Sequence, residues 1–174
     1  GSPSTFFYAF IINVNSASTT AITSSAAYAL SLRNTANTNY LGRFFVAKDG
    51  SNNLKFGISA GGGDGSGSYG SGTFAFGGSN TYLIVIRYDV GASTDNMYLW
   101  VNPSLGSEPS TGTAEVSLTA QAKPSYGTAI NAIMVHQRSA TISAAASMDG
   151  FRVSNAATSA AAWTSLNAAL SGTD

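Results

Sequence analysis

Residues 6–14 read FFYAFIINV and residues 82–88 read YLIVIRY. Successive side chains of a β-strand point to opposite faces, so each stretch places apolar side chains on both faces. In the first stretch, Tyr8 and Phe10 share one face and Phe7 lies on the other. A strand that is apolar on both faces is covered on both sides. The two stretches therefore predict strands buried between layers of a β structure.

A hairpin is predicted in the first third of the chain. Residues 41–47 and 54–58 are strand signals that flank the turn sequence KDGSNN at residues 48–53. The Asp-Gly pair supplies a common hairpin turn. Alternation in the second strand predicts inward and outward sets of side chains. The inward set is Leu54, Phe56 and Ile58, and the outward set is Lys55, Gly57 and Ser59.

The remaining strand signals are separated by turn signals, as in a β-sandwich. They cover residues 28–32, 73–76, 96–101, 115–120, 131–137 and 147–153. Residues 60–72 are rich in Gly and Ser, and we expect a mobile loop there. About ten strands predict an all-β fold, a two-sheet antiparallel jelly-roll sandwich. We expect one domain over residues 1–174, with the sandwich core at about residues 6–154.

The end of the chain changes to a helical period. Trp163, Leu166 and Leu170 are spaced three and four residues apart, which predicts a short amphipathic helix over residues 159–170. Thr158 or Ser159 is the expected N-cap. We expect the apolar stripe of this helix to lie on the sandwich, and the alternative is a docking surface for a partner.

Charge is the unusual quantity in the composition. Charged residues are 9% of the chain, and eight basic and eight acidic residues cancel, whereas average domains have about 25% charged residues. So few Lys and Arg disfavour binding to nucleic acid or to an anionic membrane surface. A weakly charged surface also repels its own copies poorly, which leaves self-association open.

The sequence contains no apolar run of the roughly 20 residues that a membrane-spanning helix needs. It contains no cysteine, so no disulfide can form. The chain opens directly into a strand signal, as expected of a mature or excised domain. These features predict neither membrane insertion nor a thiol-based site.

No catalytic arrangement is recognisable. A glycosidase on this fold needs two carboxylates that flank the scissile bond, about 5 to 10 Å apart. On one strand such a pair would occupy alternating positions, and no strand here carries two Asp or Glu in that way. Glu108 and Glu115 flank different turns. The single histidine, His136, is expected on a surface strand rather than in a triad. We therefore predict that the protein is not an enzyme and needs no cofactor. The enzyme is the third alternative, which a close carboxylate pair in the folded structure would revive.

Calcium is the one metal that the composition allows, because calcium needs only oxygen ligands. A zinc site lacks ligands, since there is one histidine and no cysteine. The candidate calcium ligands are Asp64, Asp89, Asp95 and Asp149. Turn-capping is the alternative role for these aspartates.

A glycan site needs an exposed aromatic ring beside side chains that hydrogen-bond to sugar hydroxyls. Tyr40, Tyr69 and Tyr126 lie beside predicted loops, and Asn37 and Asn39 precede Tyr40 in one polar stretch. These five residues are the candidate ligand-binding set. Trp100 and Trp163 are expected to pack in the interior, because each lies in an apolar periodic segment.

Two segments carry a family resemblance. Residues 99–103 read LWVNP and are followed by Glu108-Pro109, and residues 149–153 read DGFRV. With four further strand segments between residues 7 and 88, their order resembles LamG-like domains of the concanavalin A-like lectin/glucanase superfamily. Such domains occur in large secreted bacterial proteins, and the match covers roughly residues 6–154.

The family often has Asp-Glu-(Ile/Leu)-Arg-Val where this chain has Gly150 and Phe151. Two larger departures concern the ends of the match. Family members usually carry residues before the first strand that help to close the sandwich, and the helical tail after Val153 extends past the usual end of the family. The resemblance implies a jelly roll, an extracellular or cell-surface location in a bacterium, and a non-catalytic accessory role.

Two functions of different class follow. The first is an extracellular module for adhesion or glycan binding, whose partner is a glycan or a surface polymer. The second is a self-assembling subunit of a surface layer or filament, whose partners are copies of the chain. The second function needs an open sheet edge, which we expect at the first strand if that strand lacks a partner. The alternative is that the tail or a loop covers that edge.

Overall fold

The computed structural model describes residues 4–17, 26–34, 40–61, 65–122, 130–137 and 143–171. These residues form ten strands, a short 3-10 helix at Thr111–Thr113 and one α-helix. The strands are β1 (Ser4–Ser16), β2 (Tyr28–Asn34), β3 (Tyr40–Lys48), β4 (Leu54–Ser59), β5 (Ser68–Tyr69), β6 (Thr81–Val90), β7 (Thr94–Val101), β8 (Val116–Ala122), β9 (Ile130–Val135) and β10 (Ala145–Ala156). The helix α1 spans Ser159–Ser171.

The strands form two antiparallel five-stranded sheets. The first sheet has the order β10-β1-β6-β7-β8, and the second has the order β5-β4-β3-β2-β9. Aromatic rings fill the space between them, with Phe10 of the first sheet 5.1 Å from Phe44 of the second, centroid to centroid. Full burial of such a side chain contributes about 2–3 kcal/mol to folding. The prediction of an all-β, two-sheet antiparallel sandwich with a short C-terminal helix is confirmed.

β1 is an interior strand of the first sheet. It pairs with β6 along one side, where Tyr8 lies opposite Ile86, and with β10 along the other, where Tyr8 lies opposite Val153. The expectation of an open edge at the first strand is therefore wrong. The strand that closes this edge comes from the far end of the chain, and local sequence carries no signal for such a distant pairing.

The helix α1 covers the outer face of the first sheet. The ring of Trp163 lies 5.6 Å from that of Phe7 in an edge-on arrangement, and Leu166 belongs to the same buried cluster. The backbone N–H of Ala161 donates to Thr158 Oγ1 at 3.3 Å, so Thr158 caps the helix. The apolar stripe lies on the sandwich, as expected. Trp163 and Trp100 are both buried in this cluster, which confirms their packing roles.

The outer face of the second sheet is covered as well. Leu54, Phe56 and Ile58 lie in the core, and Lys55 and Ser59 lie on the outer face, as predicted. Both of these outer-face residues are nevertheless buried. The ring of Tyr69 lies over Gly57, where an added Cβ atom would be 2.7 Å from the ring carbons. Lys55 Nζ donates to the carbonyl oxygens of Ser71 at 3.0 Å and Gly72 at 2.7 Å.

The described part of residues 60–72 thus forms a cover that includes the short strand β5. The expectation of a mobile loop over these residues is wrong for this part. The burial of Lys55, whose ammonium group binds three backbone carbonyls of the cover, supplies the physical reason. The Gly- and Ser-rich composition of residues 60–72 does not indicate that Lys55, a residue of β4, holds this segment in place.

Substituting Trp163→Ala removes the aromatic contact between α1 and Phe7 of the sandwich. We expect the free energy of unfolding to fall by about 3–5 kcal/mol, because a buried ring is replaced by a cavity. Urea denaturation followed by circular dichroism measures the loss. Ser165→Ala, on the exposed side of the same helix, should change stability by less than about 0.5 kcal/mol. An equally small loss for Trp163→Ala would contradict the assigned role of the helix.

Candidate functional site

The predicted site residue Tyr40 belongs to a cluster on the outer face of the second sheet. We call Tyr28, Arg33, Tyr40, Arg43 and His136 the arginine–tyrosine cluster. The guanidinium carbon of Arg33 lies 4.1 Å from the centre of the Tyr40 ring, and that of Arg43 lies 4.8 Å from the centre of the Tyr28 ring. Both distances are within the range of cation–π attraction. Tyr40 is therefore a half-buried partner of arginines rather than an isolated platform.

His136 completes this cluster from the end of β9. Its ring lies 4.6 Å from that of Tyr28 and 5.3 Å from that of Tyr40, and its Nε2 is 3.2 Å from Ser31 Oγ. The expectation of a histidine within a surface strand is wrong, because His136 follows β9 and is half-buried. Its contacts assign it to the packing of the cluster.

Burial limits what the arginine–tyrosine cluster can bind. Arg33 is 5% exposed and Arg43 is 7% exposed. Arg33 Nη1 donates to the sulfur of Met134 at 3.2 Å, and Arg33 Nε has no hydrogen-bond partner among the described residues. Both guanidinium groups are buried, so little of either cation is accessible to a ligand.

Tyr69 lies on the same outer face and is itself part of the cover, in β5. Aromatic contacts run from Tyr28 to Phe45 at 6.0 Å and from Phe45 to Tyr69 at 6.4 Å. Burial raises the pKa of the Tyr69 hydroxyl well above its usual range. That hydroxyl has no hydrogen-bond partner within the described part of the chain. The structure brings Tyr40 and Tyr69 to one face, while Asn37, Asn39 and Tyr126 lie outside the described residues.

The candidate calcium ligands are separated. Asp95 is fully buried and accepts hydrogen bonds from the Tyr88 hydroxyl at 2.6 Å and the Gly91 N–H at 3.1 Å. Asp89 pairs with Arg87 at 2.8 Å. Asp149 is exposed on β10, and Asp64 lies outside the described residues.

Over the ranges that the structure describes, no three His, Cys, Asp or Glu side chains are grouped so that they could hold a metal ion. Asp95 supports the turn between β6 and β7, which is the alternative role weighed for these aspartates. Calcium binding stays a prediction.

A cleft that the sequence did not indicate lies beside β7 and the 3-10 helix. We call it the Trp100 cleft, and its volume is about 510 Å³. Apolar rings from Phe74, Trp100, Pro103 and Pro109 form part of its wall. Hydroxyl groups of three serines and one threonine, with two carboxylates, form the rest. Apolar surface beside a few placed polar groups is typical of small-ligand sites.

The two carboxylates of the Trp100 cleft are those of Glu108 and Glu115. Arg87 Nη1 donates to Glu108 Oε1 at 2.9 Å, while its Nη2 lies 2.8 Å from Asp89 Oδ2. The N–H of Gly72 donates to Glu115 Oε1 at 2.7 Å. Each carboxylate is therefore held in its orientation by a hydrogen bond to one of its two oxygens.

The charge of Arg87 is maintained despite its partial burial. Desolvation by burial opposes the charged form, but the hydrogen bond to Asp89 and the attraction of Asp89 and Glu108 outweigh it and raise the pKa of Arg87. Trp100 Nε1 donates to the carbonyl oxygen of Ser110 at 3.1 Å and fixes the opposite wall. The side chains of the cleft wall are thus held in place by hydrogen bonds within the protein.

In the sequence, Glu108 and Glu115 flank different turns, and nothing there indicates that they lie close together. The fold brings both to one cleft, since Glu115 reaches Gly72 of the cover while Glu108 reaches Arg87 of β6. The available signal was the pair Pro103 and Pro109, which restricts the chain between them. The two prolines indicate a rigid turn, but they do not indicate that the turn borders a cleft.

No family model matches the chain, and no curated protein matches it. The resemblance to LamG-like domains therefore rests on the quoted segments alone. No helix among the described residues has the length and apolar character that crossing a bilayer requires.

Asp95→Ala distinguishes a structural aspartate from a calcium ligand. We expect the free energy of unfolding to fall by about 2–4 kcal/mol without calcium, because Tyr88 and Gly91 lose a buried charged acceptor. Ser93→Ala, at an exposed position of the same turn, should cost less than about 0.5 kcal/mol. Thermal unfolding in EDTA and in calcium measures both. A calcium-dependent rise in Tm that Asp95→Ala abolishes would contradict the structural role.

Proposed function

We propose that this chain is a non-catalytic extracellular or cell-surface module for adhesion or glycan binding, and that the Trp100 cleft is its binding site. The family resemblance supports the location and the accessory role. The residues that line the Trp100 cleft support its assignment as the binding site. The observation that carries the proposal is that two oriented carboxylates line a preformed cleft together with apolar rings and hydroxyl groups.

The wall of the cleft matches the chemistry of sugars. A pyranose ring has apolar C–H faces that pack on flat apolar surfaces and hydroxyl groups that donate hydrogen bonds. Phe74 and the two prolines supply the apolar surface, while Glu108 and Glu115 supply strong acceptors. Because donors of the protein already orient these carboxylates, little conformational entropy is lost when a sugar binds.

The charge of the cleft favours neutral glycans. Two carboxylates line it, and the cation beside them, Arg87, divides its charge between Glu108 and Asp89. A uronic or sialic acid would place its own carboxylate near two others, which costs binding energy. We therefore propose a neutral oligosaccharide or polysaccharide as the ligand.

Binding without hydrolysis is part of the proposal. A glycosidase needs two carboxyl groups that flank the scissile bond, one of which donates a proton to the leaving oxygen. Here Arg87 and the N–H of Gly72 donate hydrogen bonds to the two carboxylates, and the accessory role that the family resemblance implies favours binding over cleavage. The proposed role is recognition of an intact sugar chain.

Ser107→Trp tests the site, because Ser107 is exposed at the cleft and a large ring there blocks entry. We expect glycan-array and calorimetric binding of neutral oligosaccharides by the wild-type chain, and a loss of at least about tenfold in affinity for the variant. Ser79→Trp, an exposed turn residue outside the cleft, is the matched control. Chromatography of the incubated ligand should show intact oligosaccharide.

Three results would contradict this proposal. The first is an absence of binding to any neutral glycan. The second is binding that Ser107→Trp leaves unchanged while Tyr40→Ala removes it, which would move the site to the arginine–tyrosine cluster. The third is cleavage of the ligand, which would make the chain an enzyme.

A further inference from the structure

Along one side of the sandwich, the described strands leave both sheets without a further neighbour. β9 and β10 are terminal strands of their sheets, and neither has a second neighbour among the described strands. Two cavities of about 270 and 260 Å³ lie between these strands. The first reaches Phe6 and Leu32, and the second is lined by Met148 and Phe151. Apolar core residues therefore border solvent along this side.

Exposed apolar side chains concentrate at the same side. Val153 of β10 is 54% exposed and Val135 of β9 is 57% exposed. Ile11, which pairs with Asp149 across β1 and β10, is 43% exposed. These are the large exposed hydrophobic residues of the described chain. An unpaired edge beside apolar surface is a site of strand addition.

A bulge sets the geometry of β10. Phe10 of β1 lies between the pairs Ala9–Arg152 and Ile11–Asp149, so Gly150 and Phe151 together oppose it. Gly150 adopts the left-handed conformation, with φ of +63°, that such a bulge requires. The extra residue brings Asp149 and Arg152 to the same outer face, because Ile11 and Ala9 share that face.

The charges of β10 are self-complementary. Asp149 and Arg152 are its charged residues, both are exposed, and neither forms an ion pair within the described part of the chain. They are equally far from the centre of the strand, which falls between Gly150 and Phe151. Antiparallel pairing of two β10 strands about that centre places Asp149 of one copy opposite Arg152 of the other, twice.

The same pairing fits the apolar residues. Met148 lies opposite Val153 of the second copy, and both face the space between the sheets, since their β1 partners are Ile12 and Tyr8. A bulge at an edge usually discourages pairing. Here the two bulges would meet at the twofold axis, and residues 145–149 and 152–156 would pair regularly on either side of it.

We propose that the open edge of β10 binds a second copy of this chain, forming a twofold dimer whose first sheets join into one ten-stranded sheet. The zero net charge of the chain supports self-recognition, because two copies repel each other weakly. An isologous interface closes on itself, so the product is a dimer rather than a filament. The Trp100 cleft lies at the other end of the first sheet, near β7 and β8, and stays accessible.

Charge-reversed variants test both the partner and the register. Asp149→Arg gives a strand with two arginines, and Arg152→Asp gives a strand with two aspartates. Each variant alone places like charges opposite each other, and we expect at least a tenfold weaker dimer for either. An equal mixture pairs every arginine with an aspartate and should restore dimerisation to within about threefold of the wild type.

Sedimentation equilibrium of the full chain and its variants measures these dissociation constants. Lys48→Glu, which reverses a charge on the hairpin away from β10, is the control and should leave the dimer unchanged. A wild-type chain that is monomeric up to about 0.5 mM would overturn the proposal. Association that the single variants do not weaken, or that mixing them does not restore, would overturn it as well. Either result leaves the test of glycan binding unaffected.

Discussion

The burial of β1 on both faces is the constraint on which the rest of the structure depends. Its inner face, with Tyr8 and Phe10, joins the core between the sheets, and its outer face, with Phe7, meets Trp163 of α1. The Tyr8 hydroxyl also donates to the carbonyl oxygen of Gly42 in β3 at 2.6 Å, which ties the two sheets together. Burial raises the pKa of this hydroxyl, so it stays protonated and keeps donating. The second sheet covers the inner face of β1, and α1 covers its outer face.

Covering the second sheet creates the candidate site. Lys55 holds the cover through the carbonyl oxygens of residues 70–72, and the N–H of Gly72 in turn orients Glu115. The buried face of the second sheet and the Trp100 cleft are therefore mechanically linked by one short segment. This link explains why the cleft is preformed although a Gly- and Ser-rich sequence builds part of its surroundings.

The two ends of the first sheet have different properties. The cleft end carries oriented carboxylates and prolines, which suit the binding of a polar, uncharged ligand. The β10 end carries an unpaired edge, exposed valine and a balanced pair of charges, which suit contact with another copy. A dimer through β10 would display two clefts on one molecule. Two sites on one particle bind a polymeric surface more tightly than either site alone, as adhesion requires.

The sequence by itself determined most of the strands, the two-layer architecture and the terminal helix. The reason is local, since alternation in residues 6–14 and 82–88 and the helical spacing of Trp163 and Leu166 specify which faces must be buried. The strand predicted at residues 73–76 is wrong, because Phe74 forms only an isolated bridge with Leu54. Only the tertiary structure decided that β10 closes the edge of β1, that Lys55 faces a cover, and that Glu108 and Glu115 share a cleft. Each of these depends on contacts between residues far apart in the chain, and no local period or spacing encodes such contacts.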